Sequence, residues 1–210
     1  RGAMQDFARL FTRVDQTTKT NAKVAAMAEF FREAAPADKL WCVALFSGRR
    51  PRRVITATVL REWAAEQAGI PLWLFEEAYP VVGDLAETIA LVLPPPSGEV
   101  DRPLSHWIGE LGRLSKLGDA ERKAGVLAAW DSLPTVERFL FTKLLTGGFR
   151  IGVSRKLMTR ALSQATDLDE PELAHRLMGG WTPETTTWEG LIEAPDPSAD
   201  ESRPYPFYLA

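Results

Sequence analysis

The 210-residue sequence holds one cysteine, Cys42, and two histidines, His106 and His175. A single thiol on an apolar run excludes a disulfide framework and a cysteine-based zinc site. With no secretory leader in view, it points to a cytoplasmic protein. No apolar run approaches the roughly 18 residues of a membrane span, so no membrane partner is expected. The histidines stand about seventy positions apart with no acid or nucleophile beside them, and both read as structural. Walker-type Gly-x-x-x-x-Gly-Lys, His-Glu-x-x-His and paired metal-ligand spacings are all missing. Glu76-Glu77 is an acidic pair, but adjacent helix residues do not share a face, so it makes no carboxylate dyad. Neither a catalytic residue nor a metal ligand is therefore expected. Strand-like alternation is almost absent, since the best candidate, Arg53-Val54-Ile55-Thr56, is too short to build a sheet. The net charge of −3 provides no global positive field, so any affinity for nucleic acid must come from a local patch.

What is present is helical period. Hydrophobic residues make up 45% and charged ones 25%, a balance that supports a real core. Phe7, Leu10, Phe11 and Val14 fall three and four apart within a first helix, Met4 to Val14. Val24, Met27, Phe30 and Phe31 continue the pattern to about Ala35. Pro36 opens a third helix that Ser47-Gly48 ends. Further helices are predicted at about 56–68, 71–80, 84–93, 103–116, 119–132, 135–146, 154–165, 170–178 and 183–193. The fold class is all-α with about twelve helices. Trp41, Trp63, Trp73, Trp107 and Trp130 lie in apolar helical patterns and are expected in the core, whereas Trp181 and Trp188 are left open. Pro94-Pro95-Pro96-Ser97-Gly98 breaks the chain and marks a connection between two helical lobes, near 94–102. Arg1-Gly2-Ala3 reads as an expression scar, and proline-rich 195–210 as a linker leading out of a domain that spans 4–194. Asp167 to Glu201 holds ten acidic residues against Arg176, which explains a negative net charge beside basic segments.

Four segments are candidates for anion binding. In Lys143–Leu162, Gly147-Gly148-Phe149-Arg150-Ile151-Gly152 precedes Ser154 at an N-cap position, followed by Arg155, Lys156 and Arg160. That stretch has five basic residues and no acidic one. Glycines admit close approach to the backbone, and a helix N-terminus offers unpaired N–H groups and partial positive charge. The rival reading is a C-cap glycine followed by a solvated basic face. Gly83-Asp84 opens another helix whose first turn could receive a phosphate, although taken alone it reads rather as plain capping by Asp84, worth roughly 1 kcal/mol. Arg49, Arg50, Arg52 and Arg53 form a dense cationic loop around Pro51; alone the run reads as a nuclear-localisation signal or a solvated loop, and beside the other two sites it reads better as a phosphate contact. Thr17-Thr18-Lys19-Thr20-Asn21 with Lys23 either adds a fourth contact, through Thr18, Lys19 and Lys23, or merely caps a helix.

LFSGRRPRRVI (45–55), WLFEEAYPVVGDLAETIALVLP (73–94), FTKLLTGGFRIGVSRKLMTRAL (141–162) and RPYPFYLA (203–210) carry a resemblance that spans nearly the whole chain. The chain resembles the N-terminal DNA-binding domain of ATP-dependent DNA ligases, in particular bacterial ones of the eukaryal and archaeal three-domain plan. Pro80 departs from the pattern, where a histidine is expected. The resemblance implies an all-α domain of two related lobes that grips nicked duplex DNA from the minor-groove side, mainly through phosphates and without sequence readout. It would act as a monomer and meet the ligase's own catalytic domains. Sequence like RPYPFYLA leads, in that family, into a nucleotidyltransferase domain whose Lys-x-Asp-Gly carries the adenylated lysine. No Lys-x-Asp-Gly occurs in these 210 residues. The catalytic domain is thus expected beyond Ala210, with ATP and Mg2+ belonging to the full-length enzyme, no cofactor in this fragment, and the fragment inactive alone. The competing expectation is a helical protein-interaction scaffold that does not bind DNA.

Overall fold

The computed structural model of the chain describes residues 3–195, so Arg1-Gly2 and 196–210, with most of the predicted linker and RPYPFYLA, lie outside the described residues. The helices are α1 (Ala3–Asp15), α2 (Thr20–Glu33), α3 (Pro36–Phe46), α4 (Ala57–Ala68), α5 (Leu72–Val82) and α6 (Leu85–Val92). They continue as α7 (Leu104–Ser115), α8 (Asp119–Ser132), α9 (Thr135–Thr146), α10 (Arg155–Ala165) and α11 (Glu170–Leu177), ending in a π-helical turn, Glu189–Glu193. No strand forms among the described residues, and Arg53–Thr56 is a connection whose Val54 amide donates to the Leu145 carbonyl at 2.8 Å.

The expected helix over 183–193 shrinks to that terminal turn. Threonine hydroxyls explain the loss, because they offer the backbone local partners that compete with a helix. Thr185 Oγ1 accepts from the Thr182 amide at 3.1 Å, and Thr187 Oγ1 from the Gly190 amide at 3.0 Å. Trp188 is nevertheless buried and stacks on Phe31 with ring centres 6.1 Å apart. Trp107 and Trp130 are buried as expected, but Trp73 is 61% exposed, so its placement in the core was wrong.

Packing is long-range. Helix α2 lies against both α1 and α10, and α10 carries α11, so the first helices meet the late ones. Helix α9 packs on α6, α1 and α7, while α4, α5 and α6 pack on one another. Between α8 and α9 a buried polar lock forms: Arg138 donates twice to the Trp130 carbonyl (2.9 and 2.7 Å), and the Trp130 indole N–H donates to Thr142 at 3.0 Å. Every polar group so paired avoids the cost of a lone buried donor.

One residue fixes the α9–α10 connection to this core. Phe149 is 1% exposed and meets Phe7, Phe11 and Phe46 with ring centres 6.1, 5.7 and 6.4 Å apart. Aromatic pairs of this kind add about 0.5–1.5 kcal/mol each beyond area burial. Phe149→Ala is expected to lower stability by about 3–5 kcal/mol in urea denaturation; a loss under about 1 kcal/mol would mean that the ring is not an anchor.

Candidate nucleic-acid interface

The four candidate segments, far apart in sequence, form one continuous strip. At its centre Gly147 ends α9 in the left-handed region (φ 70°), where a side chain would be strained. Its carbonyl accepts from the Arg50 guanidinium at 2.7 Å and from Arg150 at 3.3 Å. A Cβ on Gly147 would sit 3.6 Å from the Arg53 Cβ, so the arginine loop lies directly against the glycine turn. On one side, Lys23 donates to the Gly152 carbonyl at 3.1 Å and Arg160 to Asn21 at 2.9 Å, joining the start of α2 to the start of α10. On the other side, the Lys143 ammonium pairs with the Asp84 carboxylate and joins α9 to the α5–α6 turn.

Three helices start on this strip. Ser154 accepts from the Leu157 amide at 3.2 Å and caps α10, and Asp84 accepts from Glu87 at 2.9 Å and caps α6. Helix α2 begins differently. Its cap position is Lys19, with no side-chain cap bond, and Thr17 Oγ1 accepts from Lys19 instead, at 3.1 Å. Capping, one of the two readings of Thr17–Asn21, is thus not made, and the first N–H groups of α2 stay open. Gly83 turns the chain at φ 87°, and a Cβ on either Gly83 or Gly152 would meet nothing within 4 Å. At Gly152, then, neither contact nor positive φ within the chain demands glycine.

Lys19, Arg52, Arg53, Arg155 and Lys156 are exposed, and their side chains have no hydrogen-bond or ion-pair partner among the described residues. Thr18 is exposed beside them, and Gly148 continues the turn, its amide donating to the Lys143 carbonyl at 2.8 Å. Arg49 behaves differently from its neighbours. Its guanidinium donates to the carbonyls of Trp181, Leu177 and Gly179, each at 3.1 Å, and lies 4.3 Å from the Trp181 ring centre. It fastens the arginine loop to the segment after α11.

A family model described as DNA ligase N terminus matches residues 3–163. The chain belongs to this family, the N-terminal domain of ATP-dependent DNA ligases. No curated protein matches the chain. All four segments of the strip fall inside the matched stretch of the ligase domain, and so does the aromatic anchor under it. No helix among the described residues is long and apolar enough to cross a membrane.

Lys143 was not among the candidate contacts of the ligase domain, although it was counted in the basic stretch. Only folding shows its place, half-buried between Asp84 and the Phe139 ring, 5.5 Å from the ring centre. Burial alone would push the Asp84 carboxyl up. The bonds from Lys143 and from the Glu87 amide reverse this and hold it below its usual value. A carboxyl lowered on folding contributes stability above its unfolded pKa, near about 4, and loses it as pH falls through the folded value. Asp84→Asn keeps a capping oxygen but removes the charge. Between about pH 6 and about pH 2, wild type should lose more stability than Asp84→Asn. Parallel curves would show that the Lys143–Asp84 pair contributes nothing.

Proposed function

We propose that this ligase domain binds nicked double-stranded DNA without sequence preference, through backbone phosphates and the minor groove. It does so as a monomer and as the DNA-binding part of a bacterial, cytoplasmic ATP-dependent ligase that seals nicks in replication, repair or recombination. The observation that carries this reading is the convergence of four separated segments on one basic strip, where the side chains of Lys19, Arg52, Arg53, Arg155 and Lys156 lack partners among the described residues. Amides at helix starts and flexible Lys and Arg side chains position a phosphate backbone but read no base identity. Arg50, Arg52, Arg53, Arg150, Arg155, Lys156 and Arg160 supply charge, with Lys19 and Lys23 at one end. Gly147, Gly148 and Gly152 let the backbone come close, as does Gly83.

Nucleotide chemistry has no seat in this reading of the fragment. The sequence lacks Lys-x-Asp-Gly, and among the described residues no cluster of three His, Cys, Asp or Glu could hold a metal ion. In this reading ATP and Mg2+ belong to the ligase's own catalytic domains, which this domain meets around the DNA. Its part in sealing is to hold and bend the nicked duplex for them.

Each phosphate neutralised releases counterions, so log affinity falls with log salt at about −0.9 per contact. Four to six contacts give a slope of about −4 to −5, or a loss on the order of a hundred- to a thousand-fold between about 50 and 200 mM salt. Fluorescence anisotropy on nicked duplexes of two unrelated sequences should return that slope for both. Arg150→Ala, Arg155→Ala and Lys156→Ala together should flatten it by about 2–3 and weaken both duplexes alike. A slope near zero would contradict phosphate binding, and a loss confined to one sequence would indicate base readout.

A further inference from the structure

Helix α5 is apolar on both of its sides. Only Phe75 in Leu72–Val82 is buried, yet Leu72, Trp73, Leu74 and Val81 are 37%, 61%, 40% and 87% exposed. At about 100° per residue, Trp73, Glu76, Glu77, Pro80 and Val81 fall on the side away from Phe75. The outer side of a surface helix normally carries polar residues only. Here an indole and a valine remain in water with no side chain of the described residues over them. Isolated exposed apolar residues need no account, but an indole and a valine on the same outer side of one short helix, with Leu74 at its edge, do.

Charge decides what fits it. Glu76 and Glu77 lie beside Trp73, exposed, with no cation partner among the described residues. From Glu62 to Asp101 the sequence has eight acidic residues and no lysine, arginine or histidine. Arg61 of α4, just outside that run, is engaged with the ring of Tyr79, 4.9 Å from its centre, on the flank of α5. DNA phosphates are repelled by such a face. A second copy meeting it face to face would set glutamate against glutamate, and one meeting it through the basic strip would leave Trp73 and Val81 without apolar cover. Residues 196–210 carry Asp196, Asp200 and Glu201 against one arginine, Arg203, and match no better.

We propose that this face of α5 docks a second protein through a cationic amphipathic helix. Apolar side chains of the partner cover Trp73 and Val81, and its lysines or arginines pair with Glu76 and Glu77. Because α5 runs into Gly83-Asp84, a partner seated here stands at one end of the basic strip without occupying it. The inference does not rest on the DNA reading, and either can fail alone.

The test titrates the protein with three peptides of equal length and helical pattern, Leu/Lys, Leu/Glu and Ser/Lys, by calorimetry. The Leu/Lys peptide should bind, and the other two at least tenfold more weakly. Trp73→Ala, and separately Glu76→Gln with Glu77→Gln, should each weaken Leu/Lys binding at least tenfold while nicked-duplex binding stays unchanged. Equal binding of Leu/Glu or Ser/Lys, or wild-type binding by Trp73→Ala, overturns the proposal. So does a loss of DNA affinity in Trp73→Ala, which gives the face to DNA, or concentration-dependent dimers that Trp73→Ala abolishes. A full-length ligase that no longer takes the peptide gives the face to its own catalytic domains, and also overturns it.

Discussion

The burial of Phe149 is the constraint on which the basic strip depends. The residue sits between Gly148 and Arg150, in a connection that would otherwise lie loosely on the surface. Its ring is held by Phe7 and Phe11 of α1 and Phe46 of α3. With that ring fixed, Gly147 is held against the arginine loop, Arg150 is turned outward, and α10 starts where α2 starts. A connection anchored from beneath can carry repelling cations on its outer side, since the core rather than the cations pays for its order. The same anchor joins helices from both ends of the matched stretch, so the strip exists only in the complete fold.

Charge is divided between surfaces rather than averaged. The strip concentrates lysine and arginine, and its single buried-side carboxylate, Asp84, is neutralised by Lys143 while it caps α6. The run from Glu62 to Asp101 holds eight acidic residues and no basic one, Asp84 at the edge of the strip among them. A net charge of −3 is therefore compatible with a strong local positive field. Such a division steers a polyanion to one side of the molecule and keeps it off the other.

Much of this was legible along the chain. Helix ends follow local rules, so Pro36, Gly83-Asp84, Gly147 and Ser154 could be placed from the sequence, and each stands at the helix boundary expected of it. What joins them is not local. The contacts Lys143–Asp84, Arg50–Gly147 and Lys23–Gly152 span 59, 97 and 129 positions, and no spacing rule reaches that far. Arg49 looked identical to Arg50, and only its position next to Trp181 distinguishes a fastener from an outward-facing cation. Trp73 repeats the apolar period of a core residue, so its exposure was hidden; the flanking Glu76 and Glu77 were the one local sign. The helix expected at 183–193 forms only at its end, because the hydroxyls of Thr185 and Thr187 bond backbone amides locally and hydrophobic period does not register such bonds.

The central claim is that the four segments act as a single surface. Hydrogen–deuterium exchange of the protein with and without a nicked duplex tests it most directly. The account predicts protection that appears together at the starts of α2 and α6, across the arginine loop 49–53, and from 147 to the start of α10, with α5 unchanged. Protection limited to one of these segments, or centred on α5, would contradict it.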